Sequence, residues 1–309
     1  MVINIQDVWA DAAADHARFL KDTIDKGLVK LGGTSVELAV VKFVIDNKDS
    51  IVNGVPSDLA LCIKKYIHAF PDLAIRKVAV GIMGKIFDYG AFSAKSDKPW
   101  TAYHLCSLAR YKVCCYCHMV ETGTCLPDED TKGYRPPIDH YYGKAEYPFL
   151  ALSLCNFIPC CEKCNGPQMK GKIDFSESIH LNPLVDEESI EFALVPVQAA
   201  DTKIAEFAAF SLPKDQYRLS VIAIGNHKVS ASSIKTFQLT SRYANYSERA
   251  YYLAKRLRGL PARQRFYDEG LDFKVGLEEH LEFEPEEYKN VPYGKARICI
   301  AKQFGVDIP

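Results

Sequence analysis

The chain has 309 residues, 48% hydrophobic and 25% charged, proportions of an ordinary globular protein that argue against a fibrous or a disordered chain. A formal net charge of −1 excludes a protein that is basic throughout, so any surface for a polyanion has to be local. The longest apolar candidate, Phe149 to Cys161, is broken by Ser153 and Asn156 and falls short of the roughly 20 residues of a membrane span, so no membrane role is expected.

Met1 to Asp7 carries no basic leader before an apolar run, which reads as a cytoplasmic protein. The length predicts two or three folding units. The first, 1–110, reads as a helical domain: Val8, Ala12, Phe19 and Leu20 recur near the helical period. Thr34 and Glu37 have capping-box spacing, and Pro56-Ser57-Asp58 and Pro71-Asp72 are helix-start signals. Gly90 and the stretch from Ser93 to Pro99 read as a loop. Nothing in this domain looks like chemistry, and a structural or partner-binding role is expected. Residues 111–185 change to cysteine, proline, tyrosine and short apolar runs, as in a compact metal-held module. The region 186–309 reads as mixed strand and helix, with strands at Ile190 to Val197 and Arg218 to Ile224. The fold class expected is therefore α+β.

Nine of the eleven cysteines fall between Cys106 and Cys164 inclusive, which in a reducing compartment indicates metal binding rather than disulfides. Cys114-x-x-Cys117 and Cys161-x-x-Cys164 are two knuckles with a long loop between them, the usual source of a four-cysteine zinc site. Cys115 and Cys160 have the wrong spacing and are excluded as ligands. A redox pair would need only one such knuckle, and buried unliganded cysteines are the other alternative. A closed four-thiolate site has no open position for substrate, so the zinc would be structural and the chemistry elsewhere.

Between the knuckles stand Asp139-His140 and Asn156, and Asn165 follows the second knuckle directly. Over about sixty residues this pattern resembles the HNH endonuclease superfamily in its HNN form, with a ββα-metal fold. Phosphodiester hydrolysis needs an activated water and a stabilised leaving oxygen, and an imidazole with an ordinary pKa near 6.5 can take the water's proton at neutral pH. His140 is the expected general base. The resemblance implies that Asp139 and Asn165 hold a catalytic Mg²⁺ or Mn²⁺ and that Asn156 braces the loop between two strands. Asparagine at 165 departs from the commoner final histidine, and an amide oxygen suits magnesium better than an imidazole would.

Lys170 and Lys172 read equally as phosphate contacts or as solvated charges. Residues 111–175 hold 7 Lys or Arg and 8 Asp or Glu, so the module is not itself a basic surface. The basic stretch is 242–265, with Arg242, Arg249, Lys255, Arg256, Arg258, Arg263 and Arg265 against Glu248. Tyr243, Tyr246, Tyr251 and Tyr252 interleave with them. This stretch reads as a DNA surface, as a basic helix face covering a core with its tyrosines, or as a face that docks an acidic partner. His104, His118 and His180 are not expected to be ligands.

The expected function is a DNA endonuclease, acting on double-stranded DNA, with zinc as structural and Mg²⁺ or Mn²⁺ as catalytic cofactor. A non-catalytic zinc-ribbon-like nucleic-acid or protein binding module is the alternative. HNH nucleases with appended domains look like effectors of bacterial anti-phage systems, some of which work beside an ATPase. This chain has no P-loop, so any ATP-driven step belongs to another protein. A single nuclease site cuts one strand per event, and double-strand cleavage would call for an oligomer.

Overall fold

Thr34 and Glu37 form a reciprocal capping box: Thr34 Oγ1 accepts from Glu37 N–H at 3.2 Å, and the Glu37 carboxylate accepts from Thr34 N–H at 3.0 Å. This starts helix α2 (Ser35–Asp46), one of a series in the first hundred residues. The computed structural model describes residues 2–198, 204–260 and 273–308. The fold is mixed α+β, and the chain divides into two units, Asn4–Tyr111 with Thr122–Asp186, and Met1–Ile3 with Lys112–Glu121 and Glu187–Pro309.

In the first of these, α1 (Ala13–Leu28) has no side-chain cap and depends on the buried stripe His16, Leu20, Ile24 at four-residue spacing. After α3 (Lys48–Asn53), α4 (Pro56–Ala69) begins on Pro56, whose missing N–H is one of the orphans of a first turn. Asp72 caps α5 (Leu73–Ile86) by accepting from Ile75 N–H at 2.9 Å. The loop expected around Gly90 starts later than the sequence indicates. Asp88 caps a short helix, α6 (Tyr89–Ser93), before the chain opens out and then forms α7 (Ala102–Ser107).

The cysteine-rich segment contributes a three-residue hairpin, β1 (Ile138–His140) and β2 (Phe157–Pro159), then a single helical turn, α8 (Glu162–Asn165). That piece is too small to bury a core alone. Its core is shared with the helices: Phe149 packs against Tyr66 at 4.9 Å and Phe43 at 5.1 Å between ring centroids. Two side chains of the helical segment satisfy backbone carbonyls around the strands, and a third bond runs back to a helix carbonyl. Trp9 Nε1–H donates to the Phe157 carbonyl at 2.8 Å and the His16 ring to that of Leu152 at 2.8 Å, while Ser153 Oγ donates to the Ile51 carbonyl at 2.8 Å. Buried carbonyls left unpaired would cost about 1–3 kcal/mol each, so the helices are part of what makes the hairpin stable.

The other unit is built on an antiparallel hairpin, β3 (Ile190–Pro196) and β4 (Tyr217–Ala223), in register from Ile190 opposite Ala223 to Pro196 opposite Tyr217. Ile190, Phe192, Leu194, Tyr217 and Leu219 alternate inward and are buried. The helix Gly294–Gln303 covers the sheet, and the Gln303 amide donates to Leu194 O and accepts from Leu194 N–H, both at 2.8 Å, as a neighbouring strand would. Helices α9 (Ile204–Ala208), α10 (His227–Thr236), α11 (Leu239–Ala244) and α12 (Ser247–Leu257) complete it with the helix Phe273–Leu281. No helix among the described residues is long and apolar enough to cross a membrane.

Candidate metal centre and catalytic pocket

The two C-x-x-C knuckles are closed by backbone hydrogen bonds. Cys114 O accepts from His118 N–H at 2.7 Å, and Cys161 O accepts from Asn165 N–H at 3.1 Å. Turns this tight send both thiols of a knuckle the same way. The sulfurs of Cys114, Cys117, Cys161 and Cys164 all lie within 4.8 Å of one another, all four residues are buried, and none is in a disulfide. Sulfurs around a tetrahedral zinc stand about 3.8 Å apart, given a bond of roughly 2.3 Å, so the cluster can hold one structural metal ion such as zinc after a small contraction. Cys115 and Cys160 are buried outside the cluster, as are His118 and His180; His104 also lies outside it. His180 stacks on Phe175 at 4.1 Å.

In the β1–β2 ladder, Asp139 is opposite Ile158 and His140 opposite Phe157. Strand alternation would send Asp139 and His140 to opposite faces. Both nevertheless line one cavity of about 390 Å³ with Asn165, Lys144, Lys170 and Lys172. All three residues of β1 and Gly143 beyond its end line this cavity, so it is not confined to one face of the strand.

His140 is held on three sides. Its Nε2 lies 3.0 Å from the Ala151 carbonyl oxygen, while the rings of Tyr89 and Phe157 meet it edge-on at 4.6 and 5.2 Å between centroids. A carbonyl only accepts, so the hydrogen-bond network assigns the proton to Nε2 and the lone pair to Nδ1, which has no hydrogen-bond partner among the described residues. Burial pushes the His140 pKa down to about 3; the Ala151 bond opposes this and the charges of Lys144 and Lys170 add to it. The ring is neutral at physiological pH.

Asn156 is fully buried. Its Oδ1 accepts from Tyr142 N–H at 2.7 Å, and its Nδ2 donates to the carbonyls of Tyr142 and Leu150, each at 3.0 Å. One amide thereby ties both ends of the loop that carries Lys144 along the cavity edge and delivers Ala151 to His140.

Lys170 is the residue that sequence reasoning treated least well. It is neither solvated nor free for a phosphate: its buried ammonium donates to Asp139 Oδ1 at 2.7 Å and to the His140 carbonyl at 2.5 Å, above the Phe175 ring at 4.8 Å. Lys172 is exposed at the cavity rim. Tyr89 and Ala151 were missed, because one acts through its ring edge and the other through its backbone, and neither leaves a motif.

In the basic stretch, Arg263 and Arg265 lie outside the described residues. Tyr243, Tyr246 and Tyr251 are core residues rather than a stacking platform: Tyr243 OH donates to the Cys117 carbonyl at 2.8 Å, Tyr246 stacks on Tyr293 at 3.9 Å, and Tyr251 packs on Tyr217 at 4.8 Å. The helical period points positions 243, 246, 250, 251, 253, 254 and 257 inward, and an alternation of letters along the sequence does not reveal that. Tyr252 is half exposed. Arg258 donates to the Ala209 carbonyl, while Arg249 and Arg256 are exposed.

The sequence is 33% identical over 92 residues to the Septu protein PtuB of Bacillus thuringiensis, a match that covers 30% of this chain and 32% of that protein. The chain thus spans about a third of the length of the curated relative it matches. No described protein family and no solved structure matches it.

Proposed function

We propose that this protein is a metal-dependent endonuclease of the HNH type that hydrolyses DNA phosphodiester bonds and serves in bacterial anti-phage defence. The observation that carries the reading is the restraint on His140, a neutral imidazole whose proton is committed to Ala151 and whose other nitrogen has no hydrogen-bond partner among the described residues, in a cavity it shares with Asp139 and Asn165. The similarity to a Septu protein, part of an anti-phage system, supports the defence role.

In this reading a water in the cavity gives its proton to His140 Nδ1 as its oxygen attacks phosphorus; the bond from phosphorus to the leaving oxygen breaks, and that oxygen keeps the electron pair and takes a proton from solvent. The low pKa keeps the base unprotonated before substrate arrives, and the approaching phosphate anion raises its proton affinity when it is needed. Tyr89, Phe157 and Asn156 keep the ring and its loop from turning away. Lys144 and Lys172 contribute positive charge at the rim. The carboxylate of Asp139 and the amide oxygen of Asn165 are hard donors that suit Mg²⁺ or Mn²⁺. Such an ion would supply positive charge beside the phosphate oxygens. Zinc held by Cys114, Cys117, Cys161 and Cys164 would supply folding free energy only.

A second reading, a non-catalytic zinc-ribbon-like binding module, takes its support from Lys170, because an Asp139 already neutralised by an ammonium needs no metal. Plasmid incubated with the protein and Mg²⁺ or Mn²⁺ separates the two. Cleavage that falls by roughly 10²- to 10⁴-fold in His140→Ala supports the nuclease. Cleavage that survives the substitution removes the assigned base, and no cleavage with any divalent ion favours the binding module.

A further inference from the structure

One exposed face of α12 is spaced for a ligand rather than for a core. Arg249, Tyr252 and Arg256 follow at i, i+3 and i+7, so they share one exposed face, and they line a cavity of about 300 Å³ with Tyr246, the buried Leu253, His280, Glu282 and Arg297. Among the described residues, three guanidinium groups converge there against one carboxylate. Glu282 is taken by Arg297 at 3.1 Å. Arg297 is held further by the Leu281 carbonyl at 2.8 Å and the Tyr246 hydroxyl at 3.3 Å, and Tyr246 is itself stacked on Tyr293. The floor is therefore rigid. Arg249 has only the Tyr246 ring, 6.0 Å from its guanidinium carbon, and Arg256 has no ion-pair or hydrogen-bond partner among the described residues.

Like charges gathered around a concave site repel unless an anion joins them, and two unengaged guanidinium forks beside a fixed third match the oxygens of a phosphate. Tyr252, half exposed on the same face, offers a ring on which a base can stack. We infer that this pocket binds the phosphate of a nucleotide, with Arg249 and Arg256 as the forks and Tyr252 as the base platform. The ligand is either a free nucleotide or a nucleotide within a nucleic-acid strand. The inference uses none of Asp139, His140, Asn156 or Asn165, so it stands or falls apart from the nuclease reading.

The test is equilibrium binding to the full chain, with inorganic phosphate, AMP, ATP and a single-stranded oligonucleotide as probes. Arg249→Gln/Arg256→Gln should weaken nucleotide or oligonucleotide binding at least tenfold, and Lys255→Gln, on another face of α12, should leave it unchanged. Tyr252→Ala should weaken AMP or the oligonucleotide and spare inorganic phosphate. If AMP or ATP binds and competes with the oligonucleotide, the ligand is the free nucleotide. If only the oligonucleotide binds, and the double variant lowers its log–log salt slope by about 1.4, two phosphates' worth for a single strand, the ligand is the strand. Should the double variant fold poorly, as its melting temperature would reveal, Arg256→Gln alone still predicts a severalfold loss. Wild type that binds none of the four probes, or variants that bind them all as wild type does, would overturn the proposal.

Discussion

The Asp139–Lys170 pair makes the sharpest prediction, because both side chains are about 5% exposed and 2.7 Å apart. Lys170→Met keeps most of the volume and removes the ammonium, which takes one charged donor from the buried Asp139 carboxylate and one from the His140 carbonyl. Breaking such a pair from one side costs roughly 3–5 kcal/mol, whereas replacing both charges often costs far less. A loss of that size lowers the melting temperature by on the order of 10 °C for a unit of this size. Asp139→Asn should be destabilised comparably, since it strands the ammonium. The double variant Asp139→Asn/Lys170→Met should recover a coupling of roughly 2 kcal/mol or more relative to the sum of the two. Calorimetry of the four proteins with zinc bound and without added magnesium measures this. Repeating it with MgCl₂ adds a second reading: a dication can take the place of the lost ammonium beside Asp139, so magnesium should stabilise Lys170→Met more than wild type. Effects that add to within about 0.5 kcal/mol would refute the coupling.

Cys117→Ser and Cys164→Ser should each lose the one zinc per chain while Cys115→Ser keeps it, and metal analysis of the purified proteins with equal zinc in all three would discard the ligand set. Asn156→Ala removes three buried hydrogen bonds and should cost about 2–4 kcal/mol, with slowed cleavage and unchanged zinc; a variant as stable as wild type would show that the loop does not depend on this amide. His16 and His118 are buried, and burial lowers each pKa from an ordinary 6.5 to about 4. The unfolded chain therefore binds more protons between those values, so their stability is complete above pH 6.5 and lost as pH falls through the window towards 4. Each should contribute about 2 kcal/mol of loss between pH 6.5 and 5. Urea titrations across that range check this, and His16→Gln should flatten the pH dependence by one group's share.

Local chemistry was the part that could be read from letters. Helix starts at Thr34, Pro56 and Asp72, the hairpin strands around Ile190 and Arg218, and the four cysteines that cluster all depend on interactions spanning a few residues or on a ligand spacing. Asp139, His140 and Asn165 could be singled out as the groups that border one cavity because their types and order follow a known pattern. The partners of those groups left no such trace. Lys170, a surface charge by composition, is buried against Asp139, and three tyrosines of the basic stretch lie in a core.

By itself, then, the sequence determined which side chains could do chemistry and where the chain starts its helices and strands. Tertiary structure decided what each group faces: Ala151 against His140, Trp9 against Phe157, Ser153 against Ile51. The reason is one of range. Caps and knuckles are settled within a turn of chain, whereas burial, which sets a pKa and turns a lysine into a counter-ion, comes from neighbours distant in sequence that exist only once the helices and the hairpin share a core.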